Sequence, residues 1–510
     1  MHGKGSMLTT QQLSWKKGHY TLLALIILLT GAAQIYLFRQ GFYSISSDEN
    51  ARTLMAAEMP FSQILLPVTS WLPLQILVNK LGLLLYYDLL LTPRILTSIV
   101  GIVASMALMF LAYRLFRNST ISIITGILAI YFPNRLVFSV APMAEIYFMC
   151  FMTLGCAFVL GWFTDERKGD LFLSTICFLL CSALRYEGWL VCATMVCILT
   201  FQLFITRNLG WGTYLINIFI LTSFPLYWLL SAYFTKYMWV FSFVSKYYID
   251  VHGKDPMGVW ERSFLYQVIV QSVYSPLIAG LISFICQLVQ DKKVRLWSLL
   301  SIIPIVGMTI LGFVTYSLAL HNWWRLAGPV TFLLLPFLAH FIYTACSATV
   351  FNRPAHYILL AIVTLLFVAG FRAEASWRTK YSNMKSEQLM AGTFLKTLDL
   401  KDNDKILIDT STRGYGPVII ASNMPDRFIK NEGSDPFYPQ PAVLDLTKGI
   451  DVTLLKNTRI KYLVFQTNRG PDIGSRKLIN KINAQASILN TSKDLQKINQ
   501  IGEWGIFALR

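Results

Sequence analysis

The segment Tyr20–Phe38, YTLLALIILLTGAAQIYLF, contains no charged side chain. About 20 apolar residues are needed to cross the hydrocarbon core of a bilayer as an α-helix. The segment has no small-residue cleavage site, and further apolar segments follow it, so it predicts a retained membrane span rather than a signal peptide. This stretch therefore places the chain among the integral membrane proteins.

The rest of the composition predicts a polytopic α-helical membrane protein. Of 510 residues, 55% are hydrophobic and 14% are charged, whereas soluble domains carry about 25% charged residues. We predict about 11 spans, with the short ones the hardest to assign. The predicted spans are Tyr20–Phe38, Pro93–Phe116, Ile121–Tyr131, Val137–Phe163, Leu171–Leu184, Trp189–Phe204, Tyr214–Phe234, Phe264–Leu288, Trp297–Leu320, Leu326–Cys346 and Tyr357–Phe371.

The net charge indicates which partners to expect, and the cysteines indicate whether disulfides or zinc sites are expected. A net charge of +17 in a membrane protein favours anionic membrane lipids and lipid phosphates as partners. The sequence has no basic run or recognition motif for nucleic acid, so nucleic acid is not an expected partner. All 8 cysteines lie in apolar segments, where they are expected as small core residues rather than as disulfides or zinc ligands.

The loop after the first span, residues 39–92, contains the sequence SSDENAR at 46–52. Asp48 and Glu49 are adjacent carboxylates at the start of a predicted helix next to the membrane. Ser46 and Glu49 also have the spacing of a capping box, which explains them without a catalytic role. The two interpretations are compatible, because a helix N-terminus favours the ionised form of a nearby carboxylate.

The second half of this loop is apolar but interrupted. Phe61–Tyr87 contains Pro67 and Pro73, which disfavour one continuous span. We predict interfacial or re-entrant helices here, lying along the membrane surface. Such helices could help to form an apolar groove near the level of the lipid head groups.

Three charged residues near the predicted spans attract attention. Glu145 lies two turns into the span Val137–Phe163, and Arg185-Tyr186-Glu187 separates two spans. An ionisable side chain at membrane depth is costly, and it indicates either function or an ion pair. The structural alternative is that Glu145 pairs with Arg135 or Arg185, and that Arg185 pairs with Glu187.

A later loop offers two further candidates. Arg325 follows two tryptophans and is expected either as an interfacial anchor or as a clamp on phosphate, which a guanidinium suits well. His321 is expected as a capping or interfacial residue, or as a partner of phosphate or metal.

An odd number of spans places the N-terminus inside and the tail outside, although the positive-inside rule supports this only weakly. The residues then expected on the outer face are Asp48, Glu49, Glu145, Arg185, Glu187 and Arg325.

From Arg372 onward the sequence becomes that of a soluble domain. Lys405–Asp409, Lys461–Gln466 and Trp504–Leu509 predict strands, Ser475–Ala486 predicts a helix, and Gly416–Met424 is either a strand or a short helix. We therefore predict a transmembrane module, residues 1–371, and a small C-terminal α/β domain, residues 372–510, outside the cytoplasm. This domain contains no recognisable catalytic motif.

The order of four short motifs resembles the GT-C superfamily of polyprenyl-phosphate-sugar transferases. It is most similar to bacterial proteins related to protein O-mannosyltransferases and aminoarabinose transferases. The first motif is Asp48-Glu49 after the first span. The others are Pro142-Met143-Ala144-Glu145, Leu184-Arg185-Tyr186-Glu187-Gly188-Trp189 and Trp324-Arg325-x-x-x-Pro329.

The resemblance implies an inverting glycosyltransferase that moves a sugar from a polyprenyl phosphate to a lipid, glycan or protein. In that family the acidic residue of the first loop is taken as the catalytic base, which points to Asp48. Glu49 would either bind a divalent cation or orient Asp48. The implied site is extracytoplasmic, in a bacterial inner membrane. Arg185, Arg325 and His321 would bind the donor phosphate, supported by Glu145, Tyr186 and Glu187.

The sequence also departs from the family. No His-Pro-Pro-Leu follows the first loop, and Ser70-Trp71-Leu72-Pro73-Leu74 stands roughly in its place. Trp-Trp-Asp-Tyr-Gly is absent as well, which disfavours an oligosaccharyltransferase of the asparagine-linked kind. The alternative function is a lipid flippase or transporter with Glu145 and Glu187 in its path, although the internal repeat that transporters often carry is not visible.

Overall fold

The computed structural model divides into two compact units. The helical unit comprises Met1–Arg39, Leu65–Gln75 and Thr97–Lys380, and the sheet unit comprises Gln40–Ile64, Ile76–Leu96 and Tyr381–Arg510. The structure describes residues 17–67, 71–205, 209–234, 277–307, 323–347, 353–379, 384–410, 414–431, 443–444, 450–468 and 476–510.

Long apolar helices dominate the helical unit and confirm the polytopic architecture. Within the described residues, 7 helices are long and apolar enough to cross a membrane, or up to 8 if a bent pair forms one span. The count of about 11 spans is not reached there, and residues 264–276 and 308–320 of two predicted spans lie outside the described part. The helices are Lys17–Arg39, Leu91–Phe116, Ser119–Ile130, Pro133–Val140, Ala144–Asp165, Lys168–Ser182, Glu187–Phe204, Trp211–Phe234, Ile278–Gln290, Lys292–Leu300, Trp323–Leu333, Leu335–Ser347 and Arg353–Arg378.

The prediction of one continuous span over Val137–Phe163 was wrong. One helix ends at Val140 and the next begins at Ala144. Between them, Ala141 is extended, with ψ 129°, because the ring of the following Pro142 disfavours helical backbone at the preceding residue. Glu145 consequently lies in the first turn of the second helix, not two turns inside a span.

A buried arginine lies at the bend between two shorter helices. Ser119–Ile130 and Pro133–Val140 meet at 57°, and Pro133 begins the second helix, where its missing N–H costs nothing. Arg135 is fully buried and donates from Nη2 to the carbonyl of Ile130. Its guanidinium therefore caps the end of the first helix, as basic side chains commonly do.

The sheet unit contains five strands: β1 (Lys405–Ile408), β2 (Phe428–Lys430), β3 (Ile460–Gln466), β4 (Leu495–Ile501) and β5 (Trp504–Leu509). Their order is β2-β1-β3-β5-β4. Strand β1 is parallel to β2 and β3, whereas β5 is antiparallel to β3 and β4. The predicted strands correspond to β1, β3 and β5. The two strands that the sequence did not reveal, β2 and β4, form the edges of the sheet and are short or largely polar.

Helices from two distant parts of the chain complete the sheet unit. Gly416–Met424 is resolved as the helix Tyr415–Ser422, and the predicted helix Ser475–Ala486 extends further. The helices of this unit are Asp48–Glu58, Phe61–Ile64, Leu74–Leu85 (from Ile76), Ser386–Leu395, Tyr415–Ser422, Val452–Asn457 and Arg476–Thr491.

The loop after the first span contributes directly to the core of the sheet unit. Leu54 and Leu83 from this loop share one hydrophobic cluster with Ile406 of β1 and Trp504 of β5. Burying one such aliphatic side chain is worth about 1.5–3 kcal/mol. Residues 40–64 and 76–96 therefore fold with the C-terminal sheet, whereas we had grouped this loop with residues 1–371. The interfacial location of Phe61–Tyr87 stays a prediction.

An asparagine joins the end of this loop to the sheet side of the core. Asn423 donates from Nδ2 to the carbonyl of Tyr87 at 3.1 Å and accepts at Oδ1 from the backbone N–H of Leu89 at 2.9 Å. Asn423 adopts a left-handed conformation, φ 57°, which ends the helix Tyr415–Ser422 as asparagine often does. Asn423 thus both ends its helix and binds a segment that lies more than 300 residues earlier in the chain.

We predict that Gly392→Ala destabilises the sheet unit by about 1–3 kcal/mol. A Cβ at Gly392 would overlap the carbonyl oxygen of Val418 and lie 2.6 Å from the Cβ of Ala421, so two helices would have to separate. Amide hydrogen exchange of β1 measures the opening free energy of the unit. The control is Thr393→Ala, at the exposed neighbouring position, for which we expect a change within about 0.5 kcal/mol. Equal exchange in both variants would contradict this packing.

Candidate functional site

The predicted acidic pair lies at the N-terminus of a helix, which we call the acidic helix (Asp48–Glu58). Asp48 is its first residue, and Glu49 is fully buried in its first turn. The Glu49 carboxylate accepts the Ser46 backbone N–H at 2.9 Å, which is half of the predicted capping box. The Ser46 hydroxyl instead lies 3.2 Å from the backbone nitrogen of Asp48.

The Glu49 carboxylate organises the preceding residues, the acidic loop (Tyr43–Ser47). Its Oε1 accepts from the Ser44 hydroxyl at 2.9 Å and from the backbone N–H groups of Ile45 and Ser46 at 2.5 and 2.9 Å. Its Oε2 accepts from the Ser46 hydroxyl at 2.6 Å. Hydrogen bonds to an ionised acceptor are roughly twice as strong as neutral ones. Of the two roles considered for Glu49, this geometry favours orientation of the loop over metal binding.

Asp48 occupies the more accessible position of the pair. It is half-buried, whereas Glu49 is fully buried. The backbone on either side of Asp48 is fixed by the Glu49 network, so its carboxylate is presented from a rigid helix end. The positive end of the helix dipole stabilises a negative charge at such a position, by about 0.3–1 kcal/mol.

The donor set of the acidic pair does not suit a divalent cation. Both oxygen atoms of Glu49 already accept hydrogen bonds from the acidic loop. Within the described ranges, no three His, Cys, Asp or Glu side chains form a group that could hold a metal ion. Binding a cation here would require Glu49 to release the loop, and we derive no step through a metal.

The sequence did not single out Arg94, a buried arginine next to the acidic loop. Arg94 is 3% exposed and donates to the backbone carbonyl of Tyr43. The sequence feature that could have identified Arg94 is its position as a charged residue directly after Pro93, in the first turn of a predicted span. We had treated it as part of that span, because no spacing relates Arg94 to residues about 50 positions earlier.

In the helical unit, Glu145, Arg185 and Glu187 form what we call the charged trio. Arg185 Nη1 lies 2.7 Å from Glu145 Oε1, and Nη2 lies 2.6 Å from Glu187 Oε1. The side chains are 13% exposed for Arg185, 0% for Glu145 and 8% for Glu187. Of the partners proposed for Glu145, the structure selects Arg185. Arg135 has no ion pair within the described residues.

A tight turn at Gly188 positions Arg185 and Glu187, two members of the charged trio, next to each other. A Cβ at Gly188 would lie 2.5 to 2.6 Å from backbone atoms of Cys181 and Ser182, so only glycine allows this approach. Trp189 reinforces the turn by donating from its indole nitrogen to the Ser182 carbonyl at 2.9 Å. Burial raises the pKa of the Tyr186 phenol, which makes Tyr186 a hydrogen-bond donor rather than a base.

The charge of the trio bears on the proposed phosphate site. With both carboxylates ionised, one arginine and two glutamates sum to −1, which repels a phosphate. Arg185 would have to exchange a carboxylate for the phosphate in order to bind it, so its role stays a prediction. Arg325 lies in the helix Trp323–Leu333, but its side chain and His321 lie outside the part that the structure describes.

The fold is similar to the solved structures of ArnT and of an archaeal oligosaccharyltransferase. ArnT from Cupriavidus metallidurans bound to undecaprenyl phosphate matches with a TM-score of 0.60 and 12% identity, over 97% of this chain and 98% of ArnT. Its apo form matches with a TM-score of 0.58 and 13% identity, over 96% and 98%. The apo oligosaccharyltransferase of Archaeoglobus fulgidus matches with a TM-score of 0.52 and 11% identity, over 88% and 69%.

These matches confirm the predicted resemblance at the level of the fold. The chain shares the fold of ArnT, and the similarity extends over nearly the full length of both chains. No protein-family model matches the chain, and no curated protein matches it either. At identities of 11–13% the individual site residues are not carried over by the comparison.

We predict that Arg185→Met destabilises the protein by about 3–5 kcal/mol, because it leaves two buried carboxylates without their cation. The measurement is equilibrium unfolding of the purified protein in one detergent. The control is Arg117→Met, which removes a more exposed arginine from Asp165 and should cost less than about 1 kcal/mol. Adding Glu145→Gln to Arg185→Met should recover part of the loss. Equal stability of the two arginine variants would show that the trio is not a buried ion pair.

Proposed function

We propose that this protein is an inverting glycosyltransferase. It transfers a sugar from a polyprenyl-phosphate donor to a hydroxyl group of a lipid, glycan or protein acceptor. The observation that carries the proposal is the different environment of the two carboxylates in the acidic pair. The buried Glu49 accepts the hydrogen bonds that hold the loop, and the more accessible Asp48 lies at the end of the helix. This arrangement supplies a fixed carboxylate base, which is what activation of an acceptor hydroxyl requires.

The reaction proposed is a single displacement. Asp48 takes the proton of the acceptor hydroxyl, and the acceptor oxygen attacks the anomeric carbon from the side opposite the phosphate. The new carbon–oxygen bond forms as the bond to the phosphate oxygen breaks, so the configuration inverts and the polyprenyl phosphate departs. Because a phosphate is a weak base, its departure needs neutralising positive charge more than a strong acid.

Positive charge for the departing phosphate is assigned to Arg185, Arg325 and His321. An arginine fork matches two phosphate oxygens, which makes this residue type well suited to the role. In the charged trio, a donor phosphate would take the place of one carboxylate on Arg185, with Glu145 or Glu187 retained to orient the guanidinium. Tyr186 is assigned a supporting role as a hydroxyl donor.

Lipid phosphate as the donor class is supported by what proteins of the same fold bind. The ArnT structure contains undecaprenyl phosphate, and the oligosaccharyltransferase AglB of Archaeoglobus fulgidus, at a TM-score of 0.50, is in complex with an inhibitory peptide and a dolichol-phosphate. We assign this protein to a bacterial inner membrane, with the site and the C-terminal domain on the extracytoplasmic side. The flippase alternative is not adopted, since Glu145 and Glu187 are both held in ion pairs with Arg185.

We predict that Asp48→Asn lowers transfer by about 100-fold or more, since general-base catalysis contributes about 10²–10⁴ in rate. Folding should be preserved, because Asp48 is half-buried and the substitution leaves its backbone N–H and the groups that donate to Glu49 unchanged. The assay incubates purified protein with a panel of radiolabelled polyprenyl-phosphate sugars and native membrane extract. The matched control is Glu58→Gln on the same helix, which only weakens a partly exposed ion pair with Lys430 at 3.0 Å and should retain activity.

Substitution of the second carboxylate separates the two roles. We expect Glu49→Gln to lower the stability of the sheet unit by about 1–3 kcal/mol, because a neutral amide with one acceptor oxygen replaces a buried carboxylate that accepts from four donors. Transfer should fall less than in Asp48→Asn. If Asp48→Asn turned over at near the normal rate while Glu49→Gln were inactive and stable, the base would be Glu49 and our assignment would be wrong.

A further inference from the structure

The Arg94 guanidinium is a buried cation that donates hydrogen bonds to the first residue of the acidic loop. Its Nε and Nη2 donate to the carbonyl oxygen of Tyr43 at 3.0 and 2.6 Å, and its Nη1 donates to the carbonyl of Leu90 at 2.6 Å. One side chain therefore ties the loop to the beginning of the helix Leu91–Phe116. Lysine carries the same charge but lacks the planar fork that these contacts use.

The acidic loop is consequently held at both ends. Arg94 fixes the carbonyl of Tyr43, and Glu49 fixes the backbone N–H groups of Ile45 and Ser46. Asp48 follows this loop directly, and its own N–H faces the Ser46 hydroxyl. The position of the Asp48 carboxylate thus depends on both anchors.

The two anchors carry opposite charges, and both are buried. Arg94 is 3% exposed and Glu49 is fully buried. Asp88 is occupied in accepting the N–H groups of Leu90 and Leu91 at 2.9 and 2.8 Å. A buried charge without an opposite charge nearby is strongly destabilising, so the presence of one buried cation and one buried anion bound to the same loop favours the burial of both.

We propose that Arg94 is a positioning residue for the transfer reaction, acting on Asp48 through the acidic loop. The inference rests on the proposed role of Asp48 as the base. Arg94 is directed at backbone carbonyls and is almost inaccessible, so it acts without touching substrate. Losing the Tyr43 contact lets the loop shift, and a shift of about 1 Å at a reacting group can cost about 100-fold in rate.

The experiment compares Arg94→Lys and Arg94→Gln with the wild type in two measurements. Hydrogen exchange of the Tyr43–Ser47 peptide should become at least tenfold faster, because without the Tyr43 contact the loop shifts and the amides of Ile45 and Ser46 move away from the Glu49 carboxylate. The kcat for transfer should fall by about 100-fold, with the donor KM changed by less than about twofold. The matched control is Arg114→Lys, a buried arginine at the other end of the same helix that pairs with Asp165 and Asp170 at 2.6 and 3.1 Å.

The outcomes separate this inference from the proposed function. Unchanged exchange in Arg94→Lys and Arg94→Gln, or a loss expressed only in the donor KM, would overturn the positioning role. An equal effect of Arg114→Lys on loop exchange and kcat would also overturn it, because the effect would then be general. If the wild type transferred no sugar from any donor, or Asp48→Asn stayed active, the proposed function would fail, while loop exchange would still report whether Arg94 holds the loop. If Arg94→Gln does not fold, Arg94→Lys, which keeps the charge, decides.

Discussion

The arrangement at the acidic helix depends on one buried carboxylate. Glu49 collects hydrogen bonds from two hydroxyls and two backbone N–H groups of the residues just before it. A chain turning into a helix leaves its first N–H groups without partners, and a carboxylate can satisfy several of them at once. Glu49 therefore fixes the path of the loop, and the adjacent Asp48 is presented as a consequence. Two neighbouring residues of the same chemistry thus differ because only one of them is buried.

The sheet unit gives this local arrangement its support. The acidic helix packs into the same core as strands β1 and β5, through Leu54 and Ala56. At the first turn of the acidic helix, Asn50 lies close to Gly416, where an added Cβ would come within 3.3 Å. The C-terminal domain therefore has a structural role that its lack of a catalytic motif concealed. Its sheet forms part of the core against which the loop after the first span packs.

The charged trio shows how the protein accommodates ionisable groups that are buried. Glu145 is fully buried, and it is tolerable there because Arg185 lies 2.7 Å away. Arg185 in turn reaches Glu187 across a tight turn that Gly188 permits. The motif Arg-Tyr-Glu-Gly-Trp is thus explained first as a structural unit, and any part in phosphate binding must use the same guanidinium.

Local pattern alone determined much of this protein. Apolar length predicted the polytopic helical architecture, since crossing a bilayer requires a fixed length of helix, and runs of β-branched and aromatic residues predicted β1, β3 and β5. The spacing of Ser46 and Glu49 predicted the hydrogen bond between them, because it closes within one helical turn. Such features depend on neighbours within a few positions, which the sequence displays directly.

Tertiary structure decided what no local pattern contains. Arg94 meets Tyr43 across 51 positions, and Asn423 meets Leu89 across 334. It also decided that Arg185 rather than Arg135 neutralises Glu145, and that Glu49 rather than Asp48 is buried. These outcomes depend on which side chains the folded core brings within about 3 Å of each other, and that distance is set by packing of the whole chain rather than by separation along it.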